Sequence, residues 1–232
     1  MIGVYDYTVI LTYLSLISGV TGMIIAMTGF GHPYLGTFCM MLSGLFDTFD
    51  GKVARTKKDR SDLEKEFGVQ IDSFADLISF GVLPAAVGIS VLRSSPFFSD
   101  VPYRIEDTGK LQWYPIVLII IALIYVLAAM IRLAYFNATE DQRAEQKRTL
   151  GSEYYSGLPV TSAALVFPLV LLLNYYLRFD LSLTYFGVML LMSVLFLANF
   201  NIKKPDNKKL LILVLIGVGE LIMFLLIPFV KK

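Results

Sequence analysis

Seven predominantly apolar runs recur along the chain, at about 6–29, 34–56, 69–93, 113–136, 158–178, 181–201 and 209–230. Each has close to the ~20 residues that a helix needs to cross the hydrocarbon core of a bilayer. Backbone N–H and C=O groups find no water there, so such a run closes its hydrogen bonds internally, as a helix. The expectation is an all-α fold, a polytopic transmembrane helix bundle. Composition agrees: 56% of the 232 residues are hydrophobic, against ~45–50% in soluble domains. Gly31 and Pro33 break the first run from the second, Gly157 and Pro159 open the fifth, and "KKPDNKK" (203–209) parts the sixth from the seventh. The polar stretch 93–112 carries two prolines and ends at Trp113 and Tyr114, where an interfacial aromatic belt belongs. No basic region with a cleavage site precedes the first run, so it is expected to be retained as a span. Residues 1–232 read as a single integral-membrane domain.

The basic residues orient the bundle. With the N-terminus in the cytoplasm, the inside loops 52–67, 132–156 and 202–209 hold fourteen of the twenty lysines and arginines. Lys231 and Lys232 dissent, and would fit better if the seventh segment did not span fully. The net charge of +1 leaves no strongly basic face for nucleic acid. Cys39 is the single cysteine, so an intrachain disulfide or multi-cysteine metal site is excluded, and it reads as a small buried hydrophobe. His32, the single histidine, reads as a turn residue beside Pro33, which excludes ordinary zinc hydrolase sites and serine–histidine triads.

Four aspartates break the apolar pattern. Asp47 and Asp50 end the second run, and Asp72 and Asp76 begin the third. Each charge near the bilayer centre costs ~2.5–3.5 kcal/mol on insertion scales, so something offsets these four. Residues three or four apart share a helix face. The two runs are consecutive and antiparallel, which brings both pairs to one depth on the cytoplasmic side. Unpaired carboxylates there would repel and several would protonate. Two divalent cations between them neutralise the charge, and a cage of hard oxygens suits Mg²⁺ or Mn²⁺. A proton relay, or ion pairs with Lys52, Arg55 and Lys57, is the competing reading of the same residues.

Small residues border the carboxylates. Gly51 lies four after Asp47, Ala54 four after Asp50, and Gly68 four before Asp72, so backbone or a phosphate can approach the acidic faces. Arg55 adds a planar fork suited to phosphate oxygens. Two metals and an arginine suit phosphoryl transfer from a pyrophosphate. A cation transporter could use the same aspartates, but transporters tend to show helices broken at mid-membrane and internal repeats. Here the charges sit at the ends of runs, and no repeat relates the two halves.

The pattern Asp47-x2-Asp50-Gly51-x2-Ala54-Arg55…Gly68-x3-Asp72-x3-Asp76 resembles the signature of the CDP-alcohol phosphatidyltransferases. "DSFADLISFGVLPA" (72–85), "RLAYFN" (132–137) and "SGLP" (156–159) are similar to the phosphatidylserine synthase branch of that family. The resemblance covers runs two to five well, and runs six and seven only in hydropathy. It implies six core helices and a homodimer, so the seventh run would add a C-terminal span. It implies two divalent cations, one held by Asp47, Asp50 and Asp72 and the other by Asp47, Asp72 and Asp76, with Asp76 also the base for the acceptor hydroxyl. Gly51 and Arg55 would face the CDP-lipid, with Ser61 a further candidate. The implied reaction is CDP-diacylglycerol plus L-serine giving phosphatidylserine and CMP. Two departures stand out. Twelve residues separate Arg55 from Gly68, a few more than is usual in the family, and Ser15, the first-run candidate for facing the CDP-lipid nucleotide, stands where relatives often have asparagine.

The acceptor is read less directly. Serine brings a carboxylate that needs a cation, and Arg132, with Asn137 five residues on, ends the fourth run on the cytoplasmic side. Arg132 serves equally as a positive-inside anchor. Lys147, Arg148 and Glu153 read as solvated loop charges. Inositol phosphate or glycerol phosphate is the alternative acceptor, and a phosphorylated acceptor would want a denser basic pocket than Arg132 alone supplies.

Overall fold

The computed structural model describes residues 2–28, 33–95, 113–150, 154–177, 180, 182–203 and 207–230. His32, Gly31, Glu153, Lys231, Lys232 and residues 96–112 lie outside the described residues, as do the side chains of Trp113, Tyr114 and Lys147. The fold is all-helical in its architecture: α1 (Ile10–Thr28), α2 (Pro33–Ala54), α3 (Asp62–Asp76), α4 (Leu83–Ser94), α5 (Trp113–Ala138), α6 (Glu140–Leu150), α7 (Ala163–Leu177), α8 (Ser182–Leu197) and α9 (Asn207–Val230). Each of the seven apolar runs is occupied by helix. Ile10–Thr28, Asp62–Ser94, Pro115–Ala138 and Val160–Leu177 are long and apolar enough to cross a membrane, and Ser182–Leu197 and Leu211–Leu226 are shorter apolar helices. The chain is a multi-pass membrane protein. A short antiparallel ribbon, β1 (Tyr154–Ser156) with β2 (Asn201–Lys203), ties the segment before α7 to the segment after α8.

Close packing of α1 on α2 follows from side-chain size. The buried face of α1 is Thr12, Ser15, Ser18, Gly19, Gly22 and Ala26, with no large residue among them. A Cβ on Gly22 would meet the Cys39 Cβ at 2.8 Å and the Gly36 carbonyl oxygen at 2.9 Å, so the two backbones nearly touch. Lipid gives helices no hydrophobic reason to associate, and small residues let dispersion and hydrogen bonds do so. Ser18 Oγ donates to the Cys39 carbonyl at 2.8 Å across this seam, and Cys39 is buried and free, as its apolar setting predicts.

The third run differs from expectation at its start. Helix begins at Asp62, seven residues ahead of the apolar run, because Ser61 and Glu64 form a capping box. Ser61 Oγ accepts from the Glu64 N–H at 3.2 Å and Glu64 Oε2 accepts from the Ser61 N–H at 2.8 Å. Such reciprocal caps satisfy two of the donors that open every helix. From there α3 runs into α4 through a π-helical turn, Leu77–Val82, directly after Asp76. Pro84 accounts for part of this. It has no N–H to return to the Phe80 carbonyl four residues back, which frees an acceptor in the membrane. Tyr125 of α5 donates its hydroxyl to that carbonyl at 2.7 Å, and Tyr185 of α8 donates to the Pro84 carbonyl at 2.9 Å. Both tyrosines are fully buried in the main core with Phe167, Phe196 and Leu83.

Candidate active site

The second half of α2 and the middle of the α3–α4 helix carry the four aspartates. Asp47, Asp50 and Asp72 each offer a carboxylate oxygen, and the three oxygens lie within 4.8 Å of one another. Asp76 sits against Asp47, and Asp50 against Asp72. Asp50 and Asp76 are buried, while Asp47 and Asp72 are partly open. The predicted convergence of two i,i+3 and i,i+4 pairs is therefore present. No carboxylate of this set has a lysine or arginine within ion-pair distance among the described residues, so salt bridges do not neutralise the cluster. Three hard-oxygen donors at this spacing, with a fourth adjoining, fit a divalent cation.

Asp50 is the best-held member. Thr12 of α1 donates its hydroxyl to Asp50 Oδ2 at 3.0 Å, and the Gly51 N–H donates to Asp50 Oδ1. Thr12 is a site residue that the sequence reading misses. Ser15, the residue expected to face the nucleotide, lies one turn further along α1 in the packing seam. Its hydroxyl is 2.6 Å from that of Ser43, and Ser43 Oγ donates back to the Ser15 carbonyl at 3.0 Å. The first helix does reach the carboxylates, but through Thr12.

Gly51 and Gly68 keep the approach to the cluster narrow in side chains but not empty. The Arg55 guanidinium lies over Gly51, its Nη1 3.4 Å from where a Cβ would stand. Ser61 does not reach the carboxylates. It caps α3, and eleven residues of helix, roughly 16 Å at 1.5 Å each, separate it from Asp72.

At the far edge Asn137, near the end of α5, donates Nδ2–H to Ser73 Oγ at 2.8 Å, next door to Asp72. Arg132 is buried, donates from Nε to the Leu158 carbonyl at 3.2 Å, and lies over the Phe136 ring with its Cζ 5.5 Å from the centroid. It thereby braces the "SGLP" turn, where Gly157 has φ +77° and a Cβ would meet the Ala198 carbonyl oxygen at 2.9 Å. Only glycine fits that conformation and that space comfortably. Arg143 of α6 also lies over Phe136, its Cζ 3.4 Å from the ring centroid, and donates Nη2–H to the Phe136 carbonyl at 2.6 Å. The expected plain loop 132–156 thus contains a polar helix, α6, that folds a second arginine back onto Phe136. Arg148 is exposed and pairs with Glu145 at 3.7 Å, a solvated charge as expected.

A clasp ties together the segments that flank the carboxylate-bearing helices. Lys57 Nζ donates to Asp6 Oδ2 at 2.8 Å and to Glu64 Oε1 at 2.6 Å, joining the residues before α1, the α2–α3 connection and the first turn of α3. The Lys57 ammonium and the Thr8 hydroxyl hold the Asp6 carboxyl down at about 2, and its two carboxylate partners push Lys57 upward.

Residues 8–225 match the family model described as CDP-alcohol phosphatidyltransferase. The chain is 33% identical over 177 residues to a CDP-diacylglycerol–serine O-phosphatidyltransferase of Saccharomyces cerevisiae, covering 72% of this chain and 55% of the yeast protein. It is 30% identical over 191 residues to the protein of that name in Helicobacter pylori, covering 78% of this chain and 68% of the other. It is 29% identical over 200 residues to an archaetidylserine synthase of Methanothermobacter thermautotrophicus, covering 85% and 70% respectively. The chain thus spans about half the length of the yeast relative and about two thirds of the other two.

Proposed function

Because the chain belongs to the CDP-alcohol phosphatidyltransferase family, we propose that it transfers the phosphatidyl group of CDP-diacylglycerol, or of an ether-lipid analogue, to L-serine, giving the phosphatidylserine-type lipid and CMP. The observation that carries this reading is the meeting of Asp47, Asp50 and Asp72 within 4.8 Å, with Asp76 against Asp47. The relatives' names supply the acceptor: two are named for serine transfer from CDP-diacylglycerol, and the archaeal one for archaetidylserine. Serine is the element that the names share.

The residues divide the work as follows. Asp47, Asp50 and Asp72 would hold one Mg²⁺ or Mn²⁺, and Asp47, Asp72 and Asp76 a second. Bound there, such ions would neutralise the carboxylates and supply Lewis-acid polarisation of the phosphate and of the departing CMP. Thr12 and the Gly51 N–H fix Asp50, so that its free electron pairs stay aimed at the cluster. Gly51 and Gly68 leave room for the diphosphate, and Arg55 presents its fork to phosphate oxygens. Asp76 accepts the proton of the serine hydroxyl as that oxygen attacks the phosphorus bearing the lipid, a task for which no histidine stands nearby among the described residues. Asn137, reaching Ser73 beside Asp72, borders the acceptor side, with Arg132 behind it as the cation for the serine carboxylate. The site faces the cytoplasm, where the basic loops lie, and the protein works as a homodimer.

The test is CMP release from membranes given the CDP-lipid with serine, glycerol 3-phosphate or an inositol phosphate. Serine is expected to be turned over fastest. Faster turnover with a phosphorylated acceptor overturns the choice of serine, and no CMP release with any alcohol overturns the reaction itself.

A further inference from the structure

The lengthened α2–α3 connection carries Arg60, which belongs to no motif of the sequence. Its backbone is set by its neighbour: Ser61 is the N-cap of α3, so the side chain leaves the chain at the start of that helix. It folds forward along α3. Nη2 donates to the Glu64 carbonyl at 3.2 Å and lies 2.9 Å from where a Cβ of Gly68 would stand. Any larger residue at 68 would push the guanidinium off the helix. Gly68 is four residues before Asp72 and so shares its face, about 6 Å along the axis. Arg60 therefore lies on the carboxylate-bearing face of α3, as Arg55 lies over Gly51 on α2. The two planar cations overlie the two glycines that border the cluster.

Its hydrogen bonding is incomplete. Nε is buried with no partner, and no carboxylate is within ion-pair distance of the guanidinium among the described residues. A half-buried arginine that bonds a main-chain carbonyl and leaves its Nε unpartnered is short of an anion. The Lys57 clasp bonds Asp6 and Glu64 and so holds the connection in place, so Arg60 is presented from a fixed loop rather than a free one.

We propose that Arg60 is a second substrate-binding fork of the site, which engages the diphosphate of the CDP-linked lipid on the side that leaves as CMP. Gly68 lies toward the solvent-facing end of α3 relative to Asp72, away from the lipid, and that end is where the nucleotide half of such a substrate belongs. A guanidinium also suits the role, since it gives two parallel N–H donors to one phosphate. The inference rests on the reading of the site as a CDP-lipid transferase, but binding of CMP tests it without turnover.

The experiment uses the full chain in detergent with Mg²⁺. CMP affinity is measured by calorimetry, and KM for CDP-diacylglycerol and for serine by CMP release. Arg60→Gln keeps a planar donor for the Glu64 carbonyl and removes the charge; Arg60→Lys keeps the charge and removes the fork; Lys58→Ala removes one exposed charge from the same loop. Arg60→Gln is expected to weaken CMP binding and raise KM for the CDP-lipid by about tenfold or more, the scale of one lost charge-assisted hydrogen bond. KM for serine should stay within twofold, Arg60→Lys should fall between, and Lys58→Ala should match the wild type. Thermal midpoints separate unfolding from lost binding. Unchanged CMP affinity in a folded Arg60→Gln protein overturns the proposal, as does a rise confined to the serine KM, or an equal effect of Lys58→Ala. If the wild type binds CMP through Arg60 but releases none from CDP-lipid, the reaction reading fails and the nucleotide contact stands.

Discussion

Replacing Thr12 by valine isolates what α1 contributes to the carboxylate cluster. Valine keeps the β-branched shape and removes one hydroxyl, the donor to Asp50 Oδ2 at 3.0 Å. Both residues are buried, Thr12 at 6% and Asp50 at 7% exposure, so water does not replace the bond. A hydrogen bond to a charged group contributes ~1.5–3 kcal/mol. At 1.4 kcal/mol per decade this is about 10–100-fold in an equilibrium constant, the range found when an outer-shell partner of a metal ligand is removed. The metal concentration for half-maximal CMP release should rise by about that factor. Turnover at saturating metal should change little, because Thr12 touches Asp50 and not the reacting groups. Ser15→Ala is the matched control. Its hydroxyl pairs with Ser43 in the α1–α2 seam, so it should lower the thermal midpoint and leave metal half-saturation unmoved. A Thr12→Val protein that titrates with metal like the wild type, or a larger metal shift in Ser15→Ala, refutes the assignment of Thr12 to the site.

Excess chelator should abolish CMP release, and Mg²⁺ or Mn²⁺ should restore it; full activity in chelator removes the metal reading. Asp76→Asn should lose about 10²–10⁴-fold in turnover, the range for a missing general base, and should not recover at high metal, whereas Asp50→Asn should recover in part. Metal rescue of Asp76→Asn to near wild-type turnover would assign the proton to another group. Gly22→Ala should destabilise the bundle by ~1–3 kcal/mol through overpacking, since its Cβ would stand 2.8 Å from that of Cys39; an unchanged thermal midpoint in detergent contradicts the close seam. The Lys57 clasp should be insensitive to pH near neutrality. Asp6, held at about 2, contributes above the ordinary 3.8 and loses its contribution as pH falls toward 2, while raised Lys57 contributes below 10.5 and loses its contribution only above that. The difference in thermal midpoint between wild type and Lys57→Met should therefore be flat from about pH 5 to 9, and a drift within that window refutes the clasp.

The parts of this fold that can be read from the sequence are those imposed by lipid as a solvent. An apolar run of twenty residues has one outcome there, so the helices sit where the runs do, and Asp47, Asp50, Asp72 and Asp76 fall on facing stripes by spacing alone. Outside lipid the rule loses force, and the readings slip. The charged stretch before Gly68 reads as loop by composition, yet Ser61 and Glu64 are a capping box and start α3 seven residues early. That signal was present, but no apolar periodicity drew attention to it. The α1 contact is a different kind of miss. Thr12, Ser15 and Ser18 all lie on the buried face, and each bonds across to α2. Which hydroxyl meets a carboxylate depends on how far α1 is slid along α2. That offset is set by Gly22 and Gly36 in contact across the seam, a pairwise property that no single helix reveals. Tyr125 likewise counts as one more apolar residue until Pro84, forty-one positions earlier, strips the Phe80 carbonyl of its partner. Arg60 combines both difficulties. It is a charge in a polar stretch and Gly68 is a small residue in a helix, and each has a bland reading when taken singly. The early start of α3 turns the arginine's side chain along the helix, and the missing Cβ at 68 lets it lie on the carboxylate face. A substitution at Gly68 should therefore resemble Arg60→Gln in its effect on CMP binding, through displacement of the guanidinium rather than its removal.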